Sequence, residues 1–178
     1  MIWRLREWFG RMAFDKAVKG FESSPNFNFN SVKKIGLLVN YSNLPELNIK
    51  KVENLLSQKF NASVEVVSFC ENNKELEAFT GSKQIKLIGK KDLNFNLTLK
   101  ANNEFDYDLL IDLTPEPELV LQILLLNLKP QIRMGVQQPH NKEWLDFMIQ
   151  SPEKIDFVFV VKQLIHYLNM INTNNNAA

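Results

Sequence analysis

Four polar residues in the second half of the chain are of types that bind ligands or transfer protons. Asp112 and Thr114 end the apolar run in "DYDLLIDLTPEPEL". Arg133 lies in "QIRMGV", and His140 lies in the loop "QQPHNKEW". A carboxylate can hold a ligand hydroxyl or an ammonium group, and a histidine can act as an acid or a base. Because ligands of open α/β sheets bind beyond the carboxyl ends of the strands, these residues form a candidate ligand-binding site.

Each of these residues also has a structural explanation. The Thr-Pro-Glu segment 114–116 is typical of a helix start, with a hydroxyl N-cap, proline in the first turn and a carboxylate opposing the helix dipole. The Ser-Pro-Glu segment 151–153 repeats this pattern. Asp112 could then be a partly exposed carboxylate that caps the loop or pairs with Arg133. His140 has no evident serine, cysteine or carboxylate partner in the sequence, which indicates a surface residue.

Motifs for catalysis, metal binding or cofactor binding are missing from the sequence. It contains no GxGxxG, GxxxxGK[ST], HExxH or GxSxG pattern. It has six glycines, two histidines and one cysteine, Cys70, so a disulfide within the chain and a cysteine metal cluster are excluded. We therefore expect no catalytic residue, no metal and no cofactor. Enzymatic activity stays open, with a non-catalytic protein favoured.

Charge is balanced over the whole chain but not along it. Lys plus Arg is 21 and Asp plus Glu is 20, which gives no general attraction to nucleic acid. Residues 1–20 carry five basic and two acidic side chains, a net charge of +3. We expect no nucleic-acid partner, and we expect any anionic partner to meet this N-terminal segment.

The N-terminal segment 1–20 predicts an amphipathic basic helix. It lacks the apolar run of a signal peptide and is too polar to span a membrane. One helix face carries an apolar stripe: Ile2, Leu5, Trp8, Phe9, Met12 and Ala13. The stripe could dock on the protein's own domain, which we favour, or bind a membrane surface or a protein partner. The candidate membrane or partner surface consists of Trp3, Arg4, Trp8, Phe9 and Arg11.

Apolar periodicity predicts alternating strands and helices from residue 33 to residue 171. This indicates an α/β fold, a single Rossmann-like three-layer domain with a mainly parallel sheet of five or six strands. Segment 21–32 is a predicted linker, 94–105 suits an edge strand or a loop, and 172–178 a disordered tail. Strands are predicted near 34–40, 63–69, 85–89, 108–113, 132–136 and 146–150. Helices are predicted at 47–60, 72–79, 115–128 and 152–171.

The predicted helix 115–128 is apolar on all sides, so the sheet alone cannot cover it. The N-terminal helix, the final helix or another protein chain could supply the second cover. We predict that the N-terminal helix docks there and that docking buries Trp8 and Phe9.

The chain resembles two known groups of proteins. The segment "FDYDLLIDLTPEPELVLQILLLNLKPQIRMGV", with Arg133-Met134-Gly135, resembles the N-terminal Rossmann-like half of heptosyltransferase-type glycosyltransferases. Those enzymes bind the nucleotide sugar with a second domain, which we do not expect in 178 residues, so their activity is not carried over. The whole chain resembles an uncharacterised Bacteroidetes family, a domain of unknown function. The shared features are a basic N-terminal helix, an "IGLL" strand, the "DLLIDL" strand and a "HYL" helix.

The second resemblance implies a cytoplasmic bacterial α/β protein with no known reaction. Together with the missing motifs, it favours a non-catalytic interaction or scaffold protein, with an unknown protein partner or self-association through apolar helices. One alternative is a nucleotide- or sugar-binding protein or enzyme that uses Asp112 and Arg133. Another is a peripheral membrane protein attached through residues 1–20.

Overall fold

The computed structural model describes residues 2–23, 25, 29–78, 84–100, 105–150 and 156–175. Helices and strands alternate along these residues. The strands are β1 (Lys34–Leu38), β2 (Ser63–Phe69), β3 (Ile85–Ile88), β4 (Leu109–Asp112), β5 (Ile132–Val136) and β6 (Phe147–Ile149). The helices are α1 (Ile2–Lys19), α2 (Ile49–Phe60), α3 (Asn73–Ala78), α4 (Leu119–Asn127) and α5 (Phe157–Asn175).

The strands form one sheet in the order β3-β2-β1-β4-β5-β6, and its pairings are parallel. This confirms the predicted α/β fold with an N-terminal helix. The order is that of a doubly wound sheet, with the topological switch between β1 and β4. Every residue of β4 is buried, as expected for a strand covered on both faces. Each predicted strand overlaps an observed one and differs from it by at most two residues at either end.

Two apolar layers form the core, one on each face of the sheet. Helices α2 and α5 cover one face, where Leu56 and Val161 are buried. Helix α4 covers the other face, where Leu121 and Leu124 are buried. Both faces of the sheet are therefore covered by helices. Buried polar side chains such as Asn40, Asp112 and Thr114 lie at or after the strand ends.

Helix α2 shows how local sequence sets the bounds of an element. The Asn48 side chain caps its start by accepting a hydrogen bond from the Lys51 amide at 3.2 Å. Asn61 ends it in the left-handed conformation, at φ 51°, which asparagine tolerates better than most residues. Both ends are fixed by asparagines, in agreement with the predicted helix 47–60.

Helix α4 begins later than predicted. It starts at Leu119, with Glu118 rather than Thr114 in the N-cap position. Thr114 bonds the buried Asp112 carboxylate instead, and a hydrogen bond to a charged acceptor is stronger than one to a neutral acceptor. The predicted Thr114 cap is therefore wrong. Its counterpart at 151–153 lies outside the described residues, while α5 runs from Phe157 past the predicted end at 171 to Asn175.

Helix α1 packs against α4, so the N-terminal helix does cover the apolar helix. Gly10, which is buried on α1, packs against the turn after β3, where an added Cβ would lie 2.5 Å from Leu97 Cδ1. The close approach favours this face of α1 for docking. The residues of α1 on the docked side are Trp3, Gly10, Phe14, Ala17 and Val18.

The stripe that was expected to dock faces outward. Trp8 is 55% exposed and Phe9 is 37% exposed, so the prediction that docking buries them is wrong. Ile2, Leu5 and Met12 are exposed as well. Helix α1 therefore carries two apolar stripes and uses only one of them within the fold. We call the five outward residues (Ile2, Leu5, Trp8, Phe9 and Met12) the α1 outer stripe.

The segment expected to be an edge strand or a loop, 94–105, forms turns over its described part. A single antiparallel bridge joins Leu93 to Leu99, and residues 101–104 lie outside the description. In the predicted linker, a short 3-10 helix spans Phe29–Ser31, and Phe29 is buried in the core. Within the described ranges, each helix is either too short or too polar to cross a membrane.

Candidate functional site

Asp112 is the last residue of β4 and lies beside the topological switch. It stands opposite Leu38 of β1 and Gly135 of β5 in the sheet. Its side chain is only 3% exposed. A Cβ on Gly135 would lie 2.4 Å from the Asp112 carbonyl oxygen, so only glycine lets β5 approach here. The expectation of a partly exposed carboxylate is wrong.

Three hydrogen bonds occupy both carboxylate oxygens of Asp112. The Thr114 backbone amide and hydroxyl donate to Oδ1 at 3.0 and 2.6 Å, and Asn141 Nδ2 donates to Oδ2 at 2.9 Å. Burial raises the pKa of Asp112, and the hydrogen bonds from Thr114 and Asn141 act in the opposite direction. Both carboxylate oxygens are therefore bonded within the chain, and Asp112 tethers two loops.

Asn141 holds the loop after β5 against this carboxylate. Its Nδ2 also donates to the Val136 carbonyl at 3.1 Å, and its Oδ1 accepts from the Gln138 amide at 2.9 Å. Both amide protons and the oxygen of this side chain are in use. Asn141 is a structural residue of the strand ends.

Asn40 closes the crevice at the switch itself. It follows β1 and is buried, and its side chain forms a paired contact with the backbone of Glu116. Nδ2 donates to the Glu116 carbonyl at 3.2 Å, and Oδ1 accepts from the Glu116 amide at 3.4 Å. A short 3-10 helix, Tyr41–Glu46, follows in place of a glycine-rich loop. The position where doubly wound proteins bind ligands is thus bridged by the protein's own side chain.

His140 lies close to Asp112, although the sequence showed no carboxylate partner for it. It is half-buried, so it is less exposed than a free surface residue would be. Burial lowers the pKa of His140, and the negative charge of Asp112 raises it by a smaller amount. Its Nε2 atom is buried without a hydrogen-bond partner among the described residues, as is Nε1 of Trp144 in the same loop.

The His140 imidazole is expected to titrate below the ordinary histidine pKa of about 6.5. Because the folded state binds this proton less readily than the unfolded state, His140 should lower stability as the pH falls through that value. NMR titration of the histidine ring protons measures the midpoint, with His140→Gln giving the assignment. Asp112→Asn should lower the midpoint further, since it removes the favourable charge. A midpoint at or above the ordinary value would contradict this environment.

Arg133 does not pair with Asp112. Its Nε and Nη2 donate to the carbonyls of Leu125 and Leu128 at 3.0 and 2.6 Å, and its guanidinium lies 4.9 Å from the ring centre of Phe21. Burial lowers the pKa of Arg133, while the nearby Asp146 raises it. Arg133 therefore caps the C-terminal end of α4, where a cation also opposes the helix dipole.

Arg133→Lys is expected to lower the free energy of unfolding by about 1–2 kcal/mol, because an ammonium group cannot reproduce the two-pronged contact with both carbonyls. Denaturant unfolding followed by circular dichroism measures the change. Arg11→Lys, on the exposed side of α1, is the control and should stay within about 0.5 kcal/mol of the parent protein. Equal stability of the Arg133→Lys and parent proteins would contradict the capping role.

The residues of the predicted membrane or partner surface on α1 do not all face the same way. Trp3 lies on the docked side, where its ring stacks on Phe69 at 6.2 Å. Arg4 and Arg11 are exposed beside the α1 outer stripe. Phe95, which is also exposed, contacts Phe9 at a ring distance of 5.2 Å. The outer surface thus extends from α1 onto the neighbouring turn.

Several residues of the strand-end network and of the outer surface of α1 were not identified from the sequence. Asn40 and Asn141 each follow an apolar strand, and asparagine after a strand is a usable signal for a loop tether. Leu5 and Met12 belonged to the predicted stripe but not to the predicted surface. Gly10 was the missing signal, because a glycine inside a helix indicates close packing on its own side.

A family model described as "Family of unknown function (DUF6913)" matches residues 6–171. The chain belongs to this family. The match confirms the expected membership of a domain-of-unknown-function family. It begins inside α1 and ends inside α5, so the DUF6913 region includes most of α1 together with the whole sheet. No curated protein and no solved structure matches the chain.

Proposed function

We propose that this protein is a non-catalytic interaction protein of the bacterial cytoplasm that binds its partner through the α1 outer stripe. The observation that carries the proposal is the exposure of five large apolar side chains on a helix whose opposite face is already docked. Large contiguous apolar patches on a protein surface mark interaction sites. The single cysteine, Cys70, is buried and free, which suits a reducing compartment.

The strand ends support the non-catalytic part of the proposal. A ligand carboxylate, hydroxyl or phosphate would have to displace Thr114, Asn141 or the Asn40 bridge to reach the switch. Displacement would leave buried donors without partners, which costs about 1–3 kcal/mol for each group. The intact hydrogen-bond network is therefore more stable than one that a ligand has opened.

A second candidate function, small-ligand binding at the same edge, rests on His140. Its buried Nε2, which has no hydrogen-bond partner in the part of the chain that the structure describes, could accept or donate a hydrogen bond to a ligand. Thermal-shift screening with nucleotides, sugars and metal ions separates the two functions. A reproducible upward shift that disappears in His140→Gln would favour the ligand-binding protein, and no shift is expected for the interaction protein.

Photo-crosslinking in cells that express the protein tests the proposed surface. A photoreactive amino acid replaces Leu5 on the α1 outer stripe or, as a matched control, the exposed Phe159 on α5. The interaction protein should give a discrete adduct from position 5 that Trp8→Glu suppresses, and no such adduct from position 159. Equal crosslinking from both positions, or no adduct to either protein or lipid from position 5, would contradict the proposal.

A further inference from the structure

We infer that the surface bound by the α1 outer stripe is an anionic lipid bilayer; this inference rests on the proposed function. The outer stripe runs along a helix at the surface of the domain, and its five side chains are exposed. A helix with an apolar stripe bordered by basic side chains binds in the plane of a membrane interface. Three features of the surface around the α1 outer stripe identify the partner: its charge, its aromatic content and the fixed position of its residues before binding.

Charge is the first feature. The exposed ionisable side chains of α1 comprise four basic residues and two acidic ones, Glu7 and Asp15, a net charge of +2. At 100° per residue, Arg4 and Arg11 lie along one side of the stripe, and Lys16 and Lys19 follow it at the C-terminal end. Basic groups beside a membrane-facing stripe meet the headgroups of anionic lipids. The basic residues are Arg4, Arg11, Lys16 and Lys19.

Aromatic content is the second feature. Trp8 and Phe9 contact each other at a ring distance of 4.8 Å, and Phe95 extends the cluster beyond the helix. Tryptophan favours the headgroup level of a bilayer, where its ring is apolar and its N–H stays hydrated. A cluster of three exposed rings next to arginines suits an interface of that kind better than a purely apolar protein groove.

Pre-ordering is the third feature. Arg6 Nη2 donates to the carbonyls of Leu93 and Asn94 at 3.1 and 2.8 Å and so fixes α1 to the turn that carries Phe95. An amphipathic segment that folds only on the bilayer loses part of its binding energy to ordering. Here the helix and Phe95 are already fixed together, so binding needs no such ordering.

A second copy of the chain fits this surface less well. Two outer stripes that face each other would bring the same positive flanks together, and like charges disfavour that arrangement. An anionic bilayer satisfies the charges and the apolar side chains at once. Self-association and a protein partner therefore become outcomes of the test.

Flotation of the full-length protein with vesicles tests the inference. One vesicle type is pure phosphatidylcholine, and the other contains about one third phosphatidylglycerol. Binding is expected to the anionic vesicles and to weaken with added salt. Leu5→Glu combined with Trp8→Glu should lower the partition coefficient more than about tenfold. Arg4→Gln and Arg11→Gln should lower it about fivefold each. Phe159→Gln combined with Tyr167→Gln, exposed on α5, is the matched control and should not change binding.

Three results would overturn the inference and have different meanings for the proposed function. If vesicles are not bound but position 5 crosslinks to another protein, the partner is a protein and the interaction surface stands. If sedimentation shows a dimer that Leu5→Glu with Trp8→Glu dissociates, the partner is a second copy and the surface again stands. If neither vesicles nor crosslinks nor a dimer are found, both the inference and the proposed function are wrong.

Discussion

Replacement of Asp112 by alanine is expected to lower the free energy of unfolding by about 3 kcal/mol. The change removes the acceptor of three buried hydrogen bonds and leaves the Thr114 amide, the Thr114 hydroxyl and Asn141 Nδ2 without their partner. It also releases the tether between the ends of β4 and β5. Denaturant unfolding measures the loss, and a lower melting temperature should accompany it.

Two further variants sharpen this measurement. Asp112→Asn keeps one acceptor oxygen for Thr114 but turns an amide group toward Asn141 Nδ2, so about half of the loss is expected. Glu116→Ala, on the exposed side of the same loop, should stay within about 0.5 kcal/mol of the parent protein. A loss below about 1 kcal/mol for Asp112→Ala would show that the network is dispensable and would make Asp112 a candidate ligand-binding residue again.

Deletion of α1 through Lys19 is expected to lower the free energy of unfolding by about 4 kcal/mol and to cause self-association. The deletion removes Trp3, Phe14 and Val18 from the apolar cluster and exposes the leucines of α4. Burial of an aromatic or large aliphatic side chain contributes about 1.5–3 kcal/mol, from which the ordering entropy of the segment is subtracted. Thermal unfolding and sedimentation velocity measure the two effects.

A matched variant separates the two faces of α1. Leu5→Gln combined with Trp8→Gln alters only the outer stripe, which faces away from the docked contact, so the melting temperature should hardly change. A large loss after the double substitution would mean that the helix docks through the outer stripe. A stable monomer after deletion would mean that α1 does not stabilise the domain by covering α4.

The fold could be predicted from the sequence because the patterns that indicate strands and helices are local. Apolar runs such as Leu109–Ile111, separated by helical periodicities, indicate buried parallel strands without any knowledge of distant contacts. Element ends were less predictable, as at α4, where the sequence pattern of a cap was present but Thr114 bonded elsewhere. The partner of a residue that can bond in two ways is decided by the tertiary structure, which a local pattern does not contain.

The candidate site depended on such tertiary contacts. Arg133 and Asp112 lie on neighbouring strands, which suggested an ion pair, yet Arg133 bonds carbonyls at the end of α4. The partner that Asp112 uses, Asn141, comes from a loop 29 residues further along the chain. Helix α1 was mispredicted for a related reason. Two apolar stripes were present, and only the close approach at Gly10 determined which one is buried.

Hydroxyl-radical footprinting of the full-length protein tests the central claim, that α1 is docked by one face and binds its partner with the other. The protein is labelled alone and in an extract, with membranes, of cells that express it. Alone, Trp8 and Met12 should oxidise faster than Trp3 and Phe14. In the extract, Trp8 and Met12 should become protected while His140 stays unchanged. Equal oxidation of Trp3 and Trp8 in the free protein, or protection confined to His140, would contradict the claim.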